Sequence, residues 1–219
     1  MVQKLTGFDI REHKTELRNN YKCIRREMPG NLKKLRDEKI FSKLIGLDSY
    51  KAAKTVLTYV STDIEVDTIR FIKHALGDGK TVAVPRCVPN TRDMVFYIIN
   101  SLRDLEHGSF SVLEPIPKKC MKLTDFKGAF CIVPALVYDR YGYRLGYGKG
   151  YYDRFLSAHS NMFLVGIGYC CCTVTELIHG RFDVAVDTIV TEKYIKKCGK
   201  ENGADGTERV GAKRKKRSP

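Results

Sequence analysis

The start of the chain shows the hydrophobic periodicity of an α-helix. Between residues 9 and 28, apolar side chains recur at steps of three, four or seven, at Ile10, Leu17, Tyr21, Ile24 and Met28. Asp9 is placed to cap this helix, and Pro29-Gly30 is placed to end it. A second helix is predicted from a cap at Asn31 to about Leu47. The sequence therefore predicts an N-terminal helical segment.

Beyond residue 50, short apolar runs alternate with helical segments. Strands are predicted at 54–60, 81–84, 94–99, 130–133, 162–167 and 189–190. Helices are predicted at 67–76 and 150–159. This alternation indicates a single-domain α/β fold, with a mainly parallel sheet and helices on both faces. Ligands of such folds bind outside the carboxyl ends of the strands, so segments 61–67 and 142–150, which each follow a strand, are expected to meet there.

Composition is typical of an ordinary globular protein. The chain has 219 residues, of which 43% are hydrophobic, enough for one domain with a full core. It contains no apolar run of membrane-spanning length, and its polar start does not resemble a signal peptide, so we expect a cytoplasmic protein without membrane contact. The domain is expected to occupy residues 1–198. Residues 199–219 have almost no apolar content and are expected to form a disordered basic tail.

The net charge of +14 points to polyanionic partners. Residues 200–219 contribute +4 of it, so +10 belongs to the rest of the chain. Phosphorylated or polyglutamylated small molecules would match this charge, and so would nucleic acid. The run Lys213–Arg217 is typical of a nuclear import signal or a nucleic-acid patch, and equally of a solubilising tail. Contact with nucleic acid is expected only through this run.

The eight cysteines do not have the spacing of a zinc site, because none forms a CxxC pair. Without a secretory signal they are expected to be reduced thiols. The triple Cys170–Cys172 is interpreted as small apolar filler in or beside a strand rather than as a redox centre.

The candidate chemistry is concentrated between residues 133 and 156. An apolar run ends in Pro134, a glycine-dense turn with Arg144 and Lys149 follows, and a helical segment then opens near Asp153. Such a strand, glycine loop and helix start can bind an anion, because glycine lets backbone N–H groups approach it and the helix N-terminus adds partial positive charge. Arg144 and Lys149 supply charges for phosphate, and Asp153 supplies an oxygen for Mg²⁺.

Two familiar phosphate motifs do not fit this turn. Walker A requires Ser or Thr after Gly-Lys, and here Gly150 follows Lys149. The dinucleotide motif GxGxxG differs from the spacing of Gly146, Gly148 and Gly150. The residues by themselves therefore predict a phosphate loop of another kind, the alternative being a glycine-rich surface turn between a strand and a helix.

The segment RLGYGKGYYDRFL, residues 144–156, resembles the signature of the 5-formyltetrahydrofolate cyclo-ligases, also called methenyltetrahydrofolate synthetases. Weaker motifs in the family's order extend the resemblance over roughly residues 8 to 195. They include K-x-x-L-R at Lys14–Arg18 and segments at 59–68, 79–86, 105–115 and 187–192. The resemblance implies an enzyme that converts 5-formyltetrahydrofolate to 5,10-methenyltetrahydrofolate with ATP and Mg²⁺. It also implies a phosphorylated formyl intermediate and the release of ADP and phosphate.

The resemblance implies roles for particular residues. Catalytic roles fall on Arg18, Arg144 and Lys149. Residues matching the ATP site are Lys14, Arg18, Arg144, Leu145, Gly146, Tyr147, Gly148, Lys149, Gly150, Tyr151 and Tyr152. Residues matching the folate site are Thr62, Glu65, Asp67, Gly148, Tyr151 and Tyr152, with Asp67 alternatively a plain helix cap. The magnesium-linked carboxylates are Asp153 and Asp187.

The chain departs from the family pattern at three places. The Leu-Pro that is common near the end of the domain reads Leu177-Ile178 here. Phe182 stands where His is common, and Tyr147 stands where a small or basic residue is frequent.

Two other classes of protein stay open. One is a nucleic-acid-binding protein that keeps such a domain, although the chain has no RRM-type motif and no zinc module. The other is a generic kinase, which the missing Walker A motif disfavours. The favoured interpretation is a monomer that acts on a reduced folate.

Overall fold

A computed structural model describes residues 9–108 and 112–198. It contains the helices α1 (Ile10–Arg26), α2 (Gly30–Gly46), α3 (Asp48–Ala52), α4 (Ile69–Gly77) and α5 (Tyr151–Ala158). Short 3₁₀ turns lie at Leu102–Asp104 and Cys170–Cys172. The predicted tail at 199–219, with its basic run, lies outside the described residues, so the predictions about it stay predictions.

The strands are short and lie mostly where the apolar runs predict them. They are β1 (Thr55–Leu57), β2 (Thr81–Cys87), β3 (Met94–Ile99), β4 (Leu105–His107), β5 (Leu113–Pro115), β6 (Met121–Lys122), β7 (Phe130–Val133), β8 (Val137–Asp139), β9 (Arg144–Leu145), β10 (Phe163–Ile167), β11 (Thr173–Val174), β12 (Thr188–Val190) and β13 (Ile195–Lys197). The strands β4, β5, β6, β8, β9, β11 and β13, and the helix α3, have no counterpart in the sequence-based prediction.

The central sheet has eight strands in the order β13-β12-β10-β7-β1-β2-β3-β6. Its middle strands, from β12 to β2, are parallel, whereas β13, β3 and β6 pair antiparallel toward the two edges. The strands β2 and β3 form a hairpin because residues 88–93 are too few to make a helical crossover. The prediction of an α/β fold with a mainly parallel sheet is thus confirmed.

Alternate residues of each central strand pack against helices on opposite faces of the sheet. In β7, Phe130 and Ile132 join the cluster that includes side chains of α1 to α4. Cys131 and Val133 join the cluster that contains Phe155 of α5. All four β7 side chains are fully buried, as expected for a strand covered on both faces. The expected arrangement of helices on both faces is confirmed.

The ends of the first two helices test the predicted caps. Asp9 caps α1, since its Oδ1 accepts hydrogen bonds from the backbone N–H groups of Arg11 and Glu12 at 2.7 and 3.4 Å. The predicted cap at Asn31 is wrong. The helix α2 already begins at Gly30, after Pro29, and no side-chain hydrogen bond caps it. Pro29 holds the extended backbone that starts the helix two residues earlier than predicted.

The triple cysteine occupies the 3₁₀ turn before β11, and its members differ in burial. Cys172 is fully buried and packs in the core, which agrees with the interpretation as filler, but Cys171 is exposed. Burial raises the pKa of the Cys172 thiol to about 11 and that of Cys131 to about 12.

In residues 9–108 and 112–198, none of the helices combines the length and apolar character that crossing a bilayer requires.

Candidate active site

The basic face of α1 lies against the glycine loop. Arg18 Nε donates a hydrogen bond to the backbone oxygen of Gly146 at 2.9 Å. One turn earlier, Lys14 Nζ lies 3.8 Å from Oδ2 of Asp183. Burial lowers the pKa of the Arg18 guanidinium, which still carries its charge at neutral pH. Arg18 therefore points at the loop, and Lys14 points at the neighbouring segment that contains Asp183.

The loop itself is shorter than the sequence indicates. Arg144 lies in strand β9, which pairs antiparallel with β8, so it does not belong to an irregular turn as predicted. Residues 146–150 then lead into α5. Gly148 has a φ of +94°, and a Cβ atom there would lie 3.1 Å from Arg18 Cζ. Glycine is favoured at this position both by the backbone conformation and by the approach of Arg18.

Arg144 is buried and held by protein groups. Its Nη2 donates to Asp153 Oδ1 at 2.6 Å, and its Nη1 donates to the Val184 backbone oxygen at 2.5 Å. The Val184 N–H also donates to Asp153 Oδ1, at 3.4 Å. The Arg144 side chain is only 4% exposed, against 30% for Asp153. Arg144 thereby fastens the start of α5 to the segment around Val184.

Glu65 joins the segment after β1 to the glycine loop. This carboxylate is buried, and its Oε2 accepts from the backbone N–H and the hydroxyl of Thr62, both at 2.9 Å. Its Oε1 accepts from the Tyr147 hydroxyl at 3.1 Å. Burial, and then the negative charge of Glu65, raises the pKa of Tyr147, so this hydroxyl stays a donor. The predicted meeting of the two segments is present in the structure.

The contact of Tyr147 with Glu65 is called the junction below. The remaining predicted ligand residues have the following contacts. Asp67 Oδ1 accepts from the N–H of Ile69, the first residue of α4, at 2.8 Å, but the N-cap position is Thr68, so the capping alternative is wrong by one residue. Tyr151 donates its hydroxyl to the Thr91 backbone oxygen at 3.3 Å, toward the β2–β3 hairpin. The Tyr152 hydroxyl is buried with no hydrogen-bond partner among the described residues, and burial raises its pKa. Lys149 is exposed.

Each of the two candidate magnesium carboxylates uses a single oxygen atom for its side-chain hydrogen bonds to the protein. The bonds of Asp153 fall on Oδ1. Asp187 uses Oδ2 to accept from the Leu164 N–H at 2.8 Å. No group of three or more His, Cys, Asp or Glu that could hold a metal occurs in the described ranges. Mg²⁺ commonly takes one or two carboxylates together with water and substrate phosphate, so Asp153 and Asp187 fit an ion that binds with a nucleotide.

Arg25 is a structural residue of this region that the sequence-based reasoning missed. Its side chain is buried, and Nη2 donates to the backbone oxygens of Ala135 and Leu136, both at 2.7 Å. Arg25 follows Arg18 by seven residues, so both lie on one face of α1, and this spacing was the available signal. Arg25 fixes the chain between β7 and β8, from which the glycine loop continues.

Fold and site together define an α/β domain in which a glycine loop contacts an arginine of α1 and a buried carboxylate of the segment after β1. A family model identifies which such domain this is. The chain belongs to the 5-formyltetrahydrofolate cyclo-ligase family, whose model matches residues 10–192.

Individual relatives agree with this assignment. A Caenorhabditis elegans protein named "Probable 5-formyltetrahydrofolate cyclo-ligase" is 30% identical over 159 residues, which cover 70% of this chain and 77% of the relative. The Escherichia coli K12 5-formyltetrahydrofolate cyclo-ligase is 30% identical over 146 residues, covering 65% and 80%. The solution structure of Aquifex aeolicus 5,10-methenyltetrahydrofolate synthetase superimposes with a TM-score of 0.74 at 28% identity, over 90% of this chain and 99% of that one.

Proposed function

We propose that this protein converts 5-formyltetrahydrofolate to 5,10-methenyltetrahydrofolate while cleaving ATP to ADP and phosphate. Membership of the cyclo-ligase family supports the reaction. The observation that carries the ATP-dependent form is the junction at the sheet edge. There Arg18 contacts Gly146 of the glycine loop, and the next residue, Tyr147, contacts the buried Glu65. A phosphate-binding surface and a buried carboxylate thus share one loop.

The reaction needs a leaving group that the substrate lacks. The oxygen of the N5-formyl group is a poor leaving group, and transfer of the γ-phosphoryl group of ATP to it makes a good one. N10 then attacks the formyl carbon and the ring closes. The N10 proton is lost to solvent, and phosphate departs with the former formyl oxygen. Catalysis of this kind depends mainly on positioning and on neutralising charge.

The cations at the junction divide this work. Lys14, Arg18 and Lys149 neutralise the phosphates, and the N–H groups of residues 146–150 at the start of α5 cradle them. Arg18 is the charge closest to the transferred group. Arg144 acts through its protein partners, because its ion pair with Asp153 and its bond to Val184 set the shape of the loop.

The folate lies on the Glu65 side of the loop. The Glu65 carboxylate accepts N–H donors from the guanidine-like edge of the pterin, with Thr62 and Tyr147 holding it in place. Asp67, Gly148, Tyr151 and Tyr152 border the same space. The substrate therefore meets the phosphates across the loop.

Asp153 and Asp187 would hold Mg²⁺ together with the nucleotide. The ion supplies positive charge to the phosphate oxygens. Within the chain, Arg144 orients Asp153, and the Leu164 N–H orients Asp187.

The proposal is tested by following methenyl absorbance with purified protein and 5-formyltetrahydrofolate. Product should form only when ATP and Mg²⁺ are both present, and chelation with EDTA should stop it. ADP should accumulate only when the folate is present. Equal ATP hydrolysis with and without folate, or methenyl formation without ATP, would contradict the proposal.

A further inference from the structure

A tight turn beside the proposed phosphate site exposes an aromatic ring. The Asp183 N–H donates to the Gly180 oxygen at 3.1 Å, and the Gly180 N–H donates to Asp183 Oδ2 at 2.8 Å. These bonds place Arg181 and Phe182 at the tip of the Gly180–Asp183 turn. Phe182 is 68% exposed, although an isolated exposed apolar side chain by itself indicates little.

What makes Phe182 informative is that its turn is fastened to the site on one side. Asp183, the next residue, is the ion-pair partner of Lys14. The following residue, Val184, is bonded through its backbone to both Arg144 and Asp153. The residues that we assign to phosphate and magnesium therefore also fix the position of the turn that carries the aromatic ring.

The other end of the segment is fastened as well. The Leu177 N–H donates to Asp139 Oδ2 at 3.1 Å. His179 stacks on Tyr143 with ring centroids 3.5 Å apart and planes 7° apart. Asp139 and Tyr143 flank the turn between β8 and β9. Because the backbone of this segment is tethered at both ends, less of it has to be ordered when a ligand binds to the ring, which lowers the entropy cost of binding.

Phe182 also has an orientation that suits stacking. The Arg181 guanidinium carbon lies over the ring, 4.4 Å from its centroid. With a cation on one face and most of the residue exposed, the opposite face is open to a planar ligand. Nucleobases stack on aromatic rings in this way, and a neighbouring arginine adds cation–π attraction.

We propose that Phe182 is the stacking platform for the purine base of the nucleotide, beside the phosphate site. The inference rests on the proposed function, since it takes ATP to be the nucleotide. A base is favoured over the pterin because the tethers of this turn lead to Lys14, Arg144 and Asp153. The carboxylate that we assign to the pterin, Glu65, is instead tied to Thr62 and Tyr147.

Binding of two probes separates a base contact from a phosphate contact. Calorimetry would compare Mg²⁺–AMP-PNP, which has a base, with Mg²⁺–tripolyphosphate, which has none. Phe182→Ala should weaken AMP-PNP about tenfold, within the range for loss of one stacked base. It should leave tripolyphosphate affinity and the KM for 5-formyltetrahydrofolate unchanged. Phe182→Tyr, which keeps the ring, should restore AMP-PNP binding, and Ile178→Ala, an exposed apolar control in the same segment, should match the unaltered chain.

Several outcomes would overturn the inference. Equal weakening of both probes would show that the substitution disturbs the phosphate site, and an effect on folate alone would place the ring at the pterin. Unaltered AMP-PNP affinity in Phe182→Ala, with normal folate turnover by the unaltered chain, would remove the stacking role and leave the proposed function standing. Absence of nucleotide binding and of turnover in the unaltered chain would refute both.

Discussion

Arg18 and Arg144 belong to the same candidate site but differ in their hydrogen-bond partners. Arg18 projects from α1 and uses Nε on a single loop carbonyl. Arg144 is buried in β9, where a carboxylate and a carbonyl occupy both of its terminal nitrogens. The Arg18 guanidinium contacts a neutral carbonyl and keeps its net positive charge, whereas the charge of Arg144 is neutralised by Asp153.

Under the proposed function, the difference indicates how a phosphate loop without a Walker motif would be organised. A guanidinium that is neutralised by Asp153 contributes geometry, because it locks strand, helix start and the Val184 segment together. A guanidinium with terminal nitrogens turned to the loop contributes charge to an incoming phosphate. Of Arg18 and Arg144, only Arg144 lies within the signature at 144–156, so the signature points to the organising residue more strongly than to the charge donor.

The largest effect is expected from Arg144→Ala. The substitution leaves Asp153 without its cation, so we expect a loss of about 3 kcal/mol in the free energy of unfolding, together with at least about a hundredfold loss of turnover. Urea titration and steady-state kinetics measure the two losses. Arg154→Ala, an exposed arginine of α5, is the control and should change neither. Full stability with lost turnover would instead make Arg144 a direct ligand of the phosphates.

Arg18→Ala should lower turnover without a comparable loss in the free energy of unfolding. We expect turnover to fall by roughly a hundredfold, as when a donor to transition-state charge is removed, while unfolding changes by less than about 1 kcal/mol. Arg18→Lys should recover only part of the rate, because lysine keeps the charge but not the forked geometry. Arg11→Ala, an exposed cation of the same helix, should behave like the unaltered protein. A loss confined to the KM for ATP would limit Arg18 to ground-state binding.

A pair of loop glycines gives a smaller and well-controlled effect. Gly148→Ala places a Cβ at a φ of +94° and 3.1 Å from Arg18 Cζ, so stability should fall by about 1–2 kcal/mol and turnover by about tenfold. Gly146→Ala adds the same atom where nothing lies within 4 Å, and it should be nearly silent. Equal effects of the two substitutions, measured by urea titration and kinetics, would show that the approach of Arg18 does not constrain the loop.

The smallest effect is expected from Tyr147→Phe. Losing the hydroxyl that orients Glu65 should raise the KM for folate roughly fivefold with little change in kcat, since the bond is to a charged group but partly exposed. Because the pKa of Tyr147 is raised, its proton stays in place as the pH rises toward 10, so the ratio between variant and unaltered protein should stay constant from about pH 7 to 9.5. Tyr143→Phe serves as a control. An unchanged KM would mean that Tyr147 does not position Glu65.

Much of the frame was predictable because strong periodicity marks long or buried elements. The boundaries of α1, β3 and β7 follow from their apolar patterns, and the signature at 144–156 locates the loop. The strands β8, β9, β11 and β13 are too short to show a period, so tertiary pairing alone reveals them. Two contacts of the site could not be predicted, namely the ion pair of Arg144 with Asp153 and the hydrogen bond from Tyr147 to Glu65. They form only when the chain folds, and neither residue type nor sequence spacing indicates them.

The central claim is that the site activates the formyl oxygen by phosphorylation, and isotope transfer tests it most directly. 5-Formyltetrahydrofolate labelled with ¹⁸O in the formyl group would be turned over with Mg²⁺–ATP, and the released phosphate analysed by mass spectrometry. The account predicts one ¹⁸O atom in each phosphate released and none in ADP. Unlabelled phosphate alongside methenyltetrahydrofolate would show that the oxygen leaves by another route and would contradict the account.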